Sequence, residues 1–477
     1  MQETMDKLNL VRVFVKGGII SPGDFLKIIQ TASHLGSSYI HFGSRQDILF
    51  PADTFDQGYL DKTFASIQTD YEINANQYQN IVTSYVSLDV MPRRSWLAPH
   101  IYHYILDSFD YRPGYKINIV DPSQSMVPLV SGQFNFIASG IENYWYLYLR
   151  SDEMGSRPWA APSSIYGYDI AKMARALEEA RNEKGNISFE SLYHTAIERV
   201  KINTQPVKES LVYPDVNFPY YEGFNRIPDG KYWLGLYWRN NQFDIKFLKA
   251  LCQRCIETDI GKISLSPWKS FILKGIEDKH RIGWEKLLGR YGINMRHSSL
   301  ELNWHIPVLD KEAMELKSFL VREMDKMDIS TYGLTFSIVS SKNVTLFTSV
   351  VIERNEAVGE VPTYNIQFSK DFNPNLMEYQ YFVKDITKEI IPPLLLELSY
   401  MYYEQLDEKS NERKKEIKVE LSDAKSHYQC EECFTIYDEV LGDVEQGIPA
   451  GTSFKALSDD YSCPTCGASK KKFRLSS

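Results

Sequence analysis

Cysteine is scarce in this chain of 477 residues: there are six, and none falls between Cys255 and Cys430. A run of about 18 apolar residues, the length needed to cross a bilayer, is absent. The opening stretch MQETMDKLNLVRVF lacks the basic, then apolar, then small-residue order of a secretory signal. The expected location is therefore cytoplasmic, with no membrane partner. Basic residues are outnumbered, 53 Lys and Arg against 62 Asp and Glu, for a net charge of -9. That balance argues against a nucleic-acid partner, whose binding would draw on a basic surface. GxxxxGK[ST] phosphate loops, GxGxxG dinucleotide fingerprints and HExxH metal motifs are missing as well. With neither a nucleotide nor a flavin domain in view, electrons used by this chain would have to come from another protein.

What is present is ordinary globular material, 43% hydrophobic and 24% charged, with 31 Tyr and 24 Phe. Its length suits about three or four domains. Four of the six cysteines fall near the end as two CxxC pairs, Cys430 with Cys433 and Cys463 with Cys466, separated by twenty-nine residues. In a reducing compartment such pairs hold metal more readily than they form structural disulfides. Two facing knuckles give a closed tetrahedral tetrathiolate. That donor set suits zinc or iron and leaves no open position for a substrate.

The segment from Tyr428 to Phe473 resembles rubredoxin in its cysteine spacing, its GTSF turn, the acidic pair before Tyr461 and the closing CPTCG and KKKF. The resemblance implies one iron held by Cys430, Cys433, Cys463 and Cys466 and cycling between ferric and ferrous. It also implies a small aromatic core from Tyr428, Tyr437, Phe454, Tyr461 and Phe473. Two residues depart from the family pattern: Phe434 stands where glycine is usual, and Tyr461 where tryptophan is usual. A zinc ribbon is the alternative reading of the four cysteines. Upstream, the fourteen residues from Asp407 to Glu420 include ten charged ones, the composition of a solvated tether or exposed helix.

The first 400 or so residues read as a duplication. FLKIIQTASHLGSSYIHFGSRQDILF, from Phe25, and FLKALCQRCIETDIGKISLSPWKSFIL, from Phe247, share a plan. Each has a helical apolar stripe, an alternating strand, a polar turn and a second apolar strand. The offset of about 222 residues is far too long for a solenoid repeat. A strand precedes each helix, so each copy reads as a ferredoxin-like half-domain followed by a longer α+β segment. Cys252 and Cys255 fall well inside the second helix, on a stripe with Leu248, Leu251 and Ile256, and are expected to be core residues rather than a redox pair.

This plan looks like the siroheme nitrite and sulfite reductases. Arg45 and Gln46 match the family's Thr-x-Arg-Gln motif, with Gly43 in place of its threonine, SPW resembles the second half's TPW strand, and Lys116 matches one of two family lysines. The resemblance implies anion or tetrapyrrole contacts for Arg45, Gln46 and Lys116, with Arg93, Arg94 and Lys269 as further candidates. It also implies four cysteines in the second large domain for a four-iron cluster. No cysteine is available there, so neither that cluster nor siroheme is expected.

The expected fold class is thus α+β: a duplicated nitrite/sulfite reductase-like scaffold plus a rubredoxin-like metal-binding domain. The expected boundaries are half-domains at 1–79 and 215–305, larger domains at 80–214 and 306–405, a charged linker at 406–426 and the metal domain at 427–477. The expected function is one-electron transfer between an electron-donor protein and an acceptor reductase of nitrate, nitrite or sulfite assimilation. One alternative is a siroheme enzyme fed by its own rubredoxin, and another is a zinc-ribbon interaction protein.

Overall fold

A computed structural model describes residues 9–53, 56–153, 156–214, 218–227, 229–293, 301–340, 346–355, 361–422, 427–439, 441–443 and 446–475, with side chains from 411 to 422 left out. The chain divides into two compact units, Met1–Ser399 and Tyr400–Ser477.

The first unit opens with β1 (Asn9–Val13), β2 (Ile19–Ile20), α1 (Pro22–His34), β3 (Tyr39–Phe42), β4 (Ile48–Ala52), α2 (Gln57–Ser66) and β5 (Tyr71–Ile73). Ser21 caps α1 by accepting from the Asp24 amide, Pro22 supplies a preset first turn, and Phe25, Ile28, Ile29 and Ala32 form its buried stripe. Then come β6 (Val82–Thr83), α3 (Pro99–Asp107), β7 (Ile117–Val120), β8 (Phe134–Ala138), β9 (Tyr144–Leu149), β10 (Trp159–Ala160), β11 (Ser163–Tyr166), α4 (Ile170–Lys184), α5 (Phe189–Arg199) and β12 (Thr204–Pro206).

The second copy contains β13 (Gly223–Arg226), β14 (Tyr232–Tyr237), β15 (Phe243–Asp244), α6 (Ile245–Glu257), β16 (Ile263–Leu265), β17 (Ser270–Ile276) and α7 (Asp278–Arg290). It continues through β18 (Trp304–His305), α8 (Lys311–Lys326), β19 (Phe336–Val339), β20 (Val350–Arg354), β21 (Tyr364–Ser369) and β22 (Tyr379–Ile386) to α9 (Ile391–Ser422). The boundary between the two units falls inside α9.

The duplication is visible strand by strand. The half-domain sheets run β15-β3-β4-β1-β5 and β2-β16-β17-β14-β13, so each copy lends a two-residue strand to the edge of the other's sheet. In the larger sheets β6, β7 and β8 are parallel and β9 turns antiparallel, while β18, β19 and β20 are parallel and β21 turns antiparallel. The strand exchange merges the two half-domains around one core, where the Phe42 ring lies 4.8 Å from Phe243 and 5.7 Å from Phe271. Cys252 and Cys255 are both fully buried in that core, and burial pushes both thiols far above their ordinary range. Ile256, expected on the same stripe, is instead 55% exposed: it lies one residue, about 100°, beyond Cys255 around the helix.

A second apolar cluster, with Phe218, Trp268, Phe347 and Met377 among its members, draws on both copies and on the segment between them. Among the described residues no helix is long and apolar enough to cross a membrane.

The second unit carries a three-stranded sheet in the order β24 (Ile436–Asp438), β23 (His427–Cys430), β25 (Phe473–Leu475). Of the charged stretch expected as a linker, residues up to Ser422 continue α9, while residues 423–426 and all side chains from 411 to 426 lie outside the described residues.

Candidate metal centre

Two tight hairpins present the four cysteines, and they are near copies of one another. In the first, the Cys430 amide donates to the Thr435 carbonyl at 2.8 Å and the Phe434 amide to the Cys430 carbonyl at 2.9 Å. In the second, the Cys463 amide donates to the Ala468 carbonyl at 2.7 Å and the Gly467 amide to the Cys463 carbonyl at 2.8 Å. Closing so small a ring requires a left-handed residue after the second cysteine. Gly467 takes φ 73° there and Phe434 takes φ 61°. A side chain in that region is strained, which glycine avoids. Replacing Phe434 with glycine is therefore expected to stabilise the C-terminal domain by about 1 kcal/mol, read as a higher denaturant midpoint for loss of the metal chromophore. Phe434 is also 68% exposed, so the exchange opens no cavity.

The hairpins bring all four Sγ atoms within 4.8 Å of one another. Cys433 Sγ lies 3.4 Å from Cys463 Sγ, and Cys430 Sγ lies 3.7 Å from Cys466 Sγ. A tetrahedron of sulfurs about 2.3 Å from a central ion has edges of about 3.8 Å. The arrangement fits one tetrahedral metal without rebuilding the backbone. Thr435 Oγ1 lies 3.1 Å from Cys433 Sγ, and the side-chain and backbone hydrogen bonds of Thr435 are the main reason the Cys433 thiol falls to about 6. No motif announces Thr435; its signal is only its place two residues past the knuckle's second cysteine.

The surrounding core matches the expected aromatic set. Tyr428 stacks on Phe454 with centroids 4.2 Å apart, and Tyr437, Tyr461 and Phe473 close around the same ring. Tyr461, in place of the usual tryptophan, has its hydroxyl 3.1 Å from Asp443 Oδ2, so the smaller ring gains an anchor.

The first-unit candidates are engaged elsewhere. Arg45 Nη1 donates to Asn118 Oδ1 at 2.7 Å, and Nη2 donates to the carbonyls of Asn80 at 2.8 Å and Ile117 at 2.7 Å. Burial lowers its pKa to about 10, so it stays charged near neutrality. Gln46 is fully buried and clasps Thr83, donating to its carbonyl at 3.0 Å and accepting from its amide at 2.9 Å. Lys116 reaches Asp152 Oδ1 at 3.1 Å, and burial lowers its pKa, with the charge of Arg45 adding to that effect. The structure thus brings Arg45 and Lys116 into electrostatic range, while Arg45 and Gln46 tie the β3–β4 turn to β6 and β7. Arg45→Met would leave three oxygen acceptors without their donor and is expected to lower first-unit stability by about 2–4 kcal/mol in a denaturant titration. Of the remaining candidates, Arg93 donates to the Leu97 carbonyl, and the Arg94 amide donates to Asp121 Oδ2 at 2.8 Å.

Residues 427–473 match the rubredoxin family model. A high molecular weight rubredoxin of Moorella thermoacetica is 37% identical over 84 residues, covering 16% of this chain and 36% of that protein. Rubredoxin-2 of Chlorobaculum tepidum is 50% identical over 46 residues, 10% of this chain and 88% of that protein. The solved structure of Mycobacterium tuberculosis NirA protein aligns with a TM-score of 0.62 at 13% identity, covering 83% of this chain and 82% of that one. At that identity the likeness is one of fold. The fold is therefore a mixed α+β, NirA-like scaffold with a small rubredoxin-like domain at its C-terminal end. That domain's four-cysteine site implies iron.

Proposed function

We propose that the chain is a one-electron carrier in which Cys430, Cys433, Cys463 and Cys466 hold a single iron and the reductase-like scaffold acts as a docking body. The observation that carries this reading is the set of four thiols packed at the edge lengths of a tetrahedral site inside a rubredoxin-like domain. When bound, the iron would supply a ferric/ferrous couple. The protein's part is to fix the ligands so that little rearrangement accompanies the change of charge. Four protein ligands close the coordination sphere, so electrons pass through the site while no substrate binds at the metal.

On this reading an electron-donor protein reduces the domain, and the acceptor is a reductase of nitrate, nitrite or sulfite assimilation. The acceptor class is proposed from the fold likeness together with the absence of cysteine between Cys255 and Cys430, which leaves the scaffold without ligands for a four-iron cluster of its own. The engagement of Arg45 with Asn118, Asn80 and Ile117 supports a scaffold without siroheme.

The deciding experiment is metal analysis with oxidised and reduced absorption spectra on full-length protein from a siroheme-producing host. About one iron per chain, thiolate charge-transfer bands that bleach on reduction and no tetrapyrrole bands are expected. Zinc in place of iron under iron-replete growth, or siroheme bands, would overturn the reading.

A further inference from the structure

Lys269 occupies, between β16 and β17, the place that Gln46 holds between β3 and β4, and both take a left-handed φ, 57° and 59°. Gln46 is fully used by Thr83. Lys269, only 5% exposed, makes no hydrogen bond or ion pair among the described residues. It lines a cavity of about 10 Å³ together with His41, Asn241, Ile306, Leu309 and Met314. That is room for one water-sized occupant.

The charges around it come from four elements. Asp47 faces Lys269 from the β3–β4 turn, Lys317 from α8, His41 from β3 and His305 from β18. Lys317 already has partners: Glu301 Oε2 at 3.1 Å and the Tyr237 hydroxyl at 2.8 Å. His41 Nδ1 lies 2.7 Å from the Asn241 carbonyl, so this nitrogen carries the proton. Asp47 Oδ1 and His305 Nδ1 are buried without partners, and burial raises the Asp47 pKa while it lowers those of both histidines. Burial, with Lys317 adding to it, brings the Lys269 pKa to about 7. An ammonium held out of water beside such a space is costly unless it gives up its proton or something of opposite charge occupies that space.

We propose that the cavity between Lys269 and His41 binds one monovalent inorganic anion of halide size, held by the Lys269 ammonium. The small space favours a compact, monatomic ion such as a halide. Binding takes place on the charged amine. Above the Lys269 pKa, anion affinity therefore falls about tenfold per pH unit.

The test is thermal unfolding of the iron-loaded full chain in sodium chloride and in sodium gluconate at matched ionic strength, at about pH 6 and about pH 9. Chloride is expected to raise the first unit's midpoint at the lower pH and to have little effect at the higher. Lys269→Met is expected to lose the chloride response while keeping, in gluconate, a midpoint at or above that of the unmodified protein, because a buried amine has been removed. An equal chloride response in the variant, or an unmodified protein that does not distinguish the two salts at either pH, would overturn the proposal and leave a water in the cavity. Bromide-soaked crystals of the unmodified protein keep the test open if the variant fails to fold. An anomalous peak within hydrogen-bonding reach of Lys269 Nζ is expected, and an ordered cavity without one overturns the site.

Discussion

Cys430→Ser is expected to yield a chain with under about a tenth of the unmodified iron content and an unfolded C-terminal domain. The domain's buried apolar core is small: Tyr437, Phe454, Leu457, Tyr461 and Phe473 beside Cys430 and Cys463. A unit of roughly fifty residues buries too little surface to be secure without a metal or disulfide staple. The free energy of metal binding is then largely the folding energy, about 10–16 kcal/mol for structural zinc in comparable small domains. Cys430 and Cys463 are 0% and 2% exposed, so a serine at either place removes a thiolate and buries a hydroxyl among aromatic rings. Cys466 is exposed. Cys466→Ser should therefore do less harm, retaining metal at lower affinity with altered charge-transfer bands. Iron per chain, the visible spectrum and amide exchange over residues 427–475 report all of this together. Full iron occupancy in Cys430→Ser would remove the proposed ligand set.

What the sequence disclosed depended on how local the cause was. The four cysteines were legible because ligand spacing is a property of short hairpins. Phe434 could be marked as a departure, but its cost became visible only beside Gly467, when both knuckles were seen to need the same left-handed residue. The duplication was legible in the apolar stripes of α1 and α6, since burial of one helix face imposes a period on the sequence. The exchange of β2 and β15 was not, because two-residue strands carry no period and their partners lie in the other copy. Arg45 and Gln46 were found by their motif. Their partners, Asn118, Asn80, Ile117 and Thr83, come from elements brought in by tertiary folding. The cavity beside Lys269 was hidden for the same reason, as its walls come from residues 41, 240–242, 306–309 and 314.

Trp268→Ala is expected to cost the first unit about 3–5 kcal/mol, among the largest effects available from a single core truncation. The indole is 4% exposed and packs edge-on against Phe218 at 4.7 Å and Phe347 at 5.5 Å. Its Nε1 donates to the Met126 carbonyl at 2.8 Å. One side chain therefore joins the first copy, the segment between the copies and the second copy. Removing it leaves a cavity that those elements can close only by moving together, and it also strands a carbonyl. Trp268→Phe separates the two contributions: it keeps most of the packing and loses the hydrogen bond, for a smaller loss of about 1–2 kcal/mol. In native buffer both variants should keep the iron chromophore, since all four proposed ligands belong to the other unit. Denaturant titrations followed by tryptophan fluorescence and by the visible bands report the two units separately. A Trp268→Ala protein unfolding at the unmodified midpoint would show that Trp268 does not anchor this cluster.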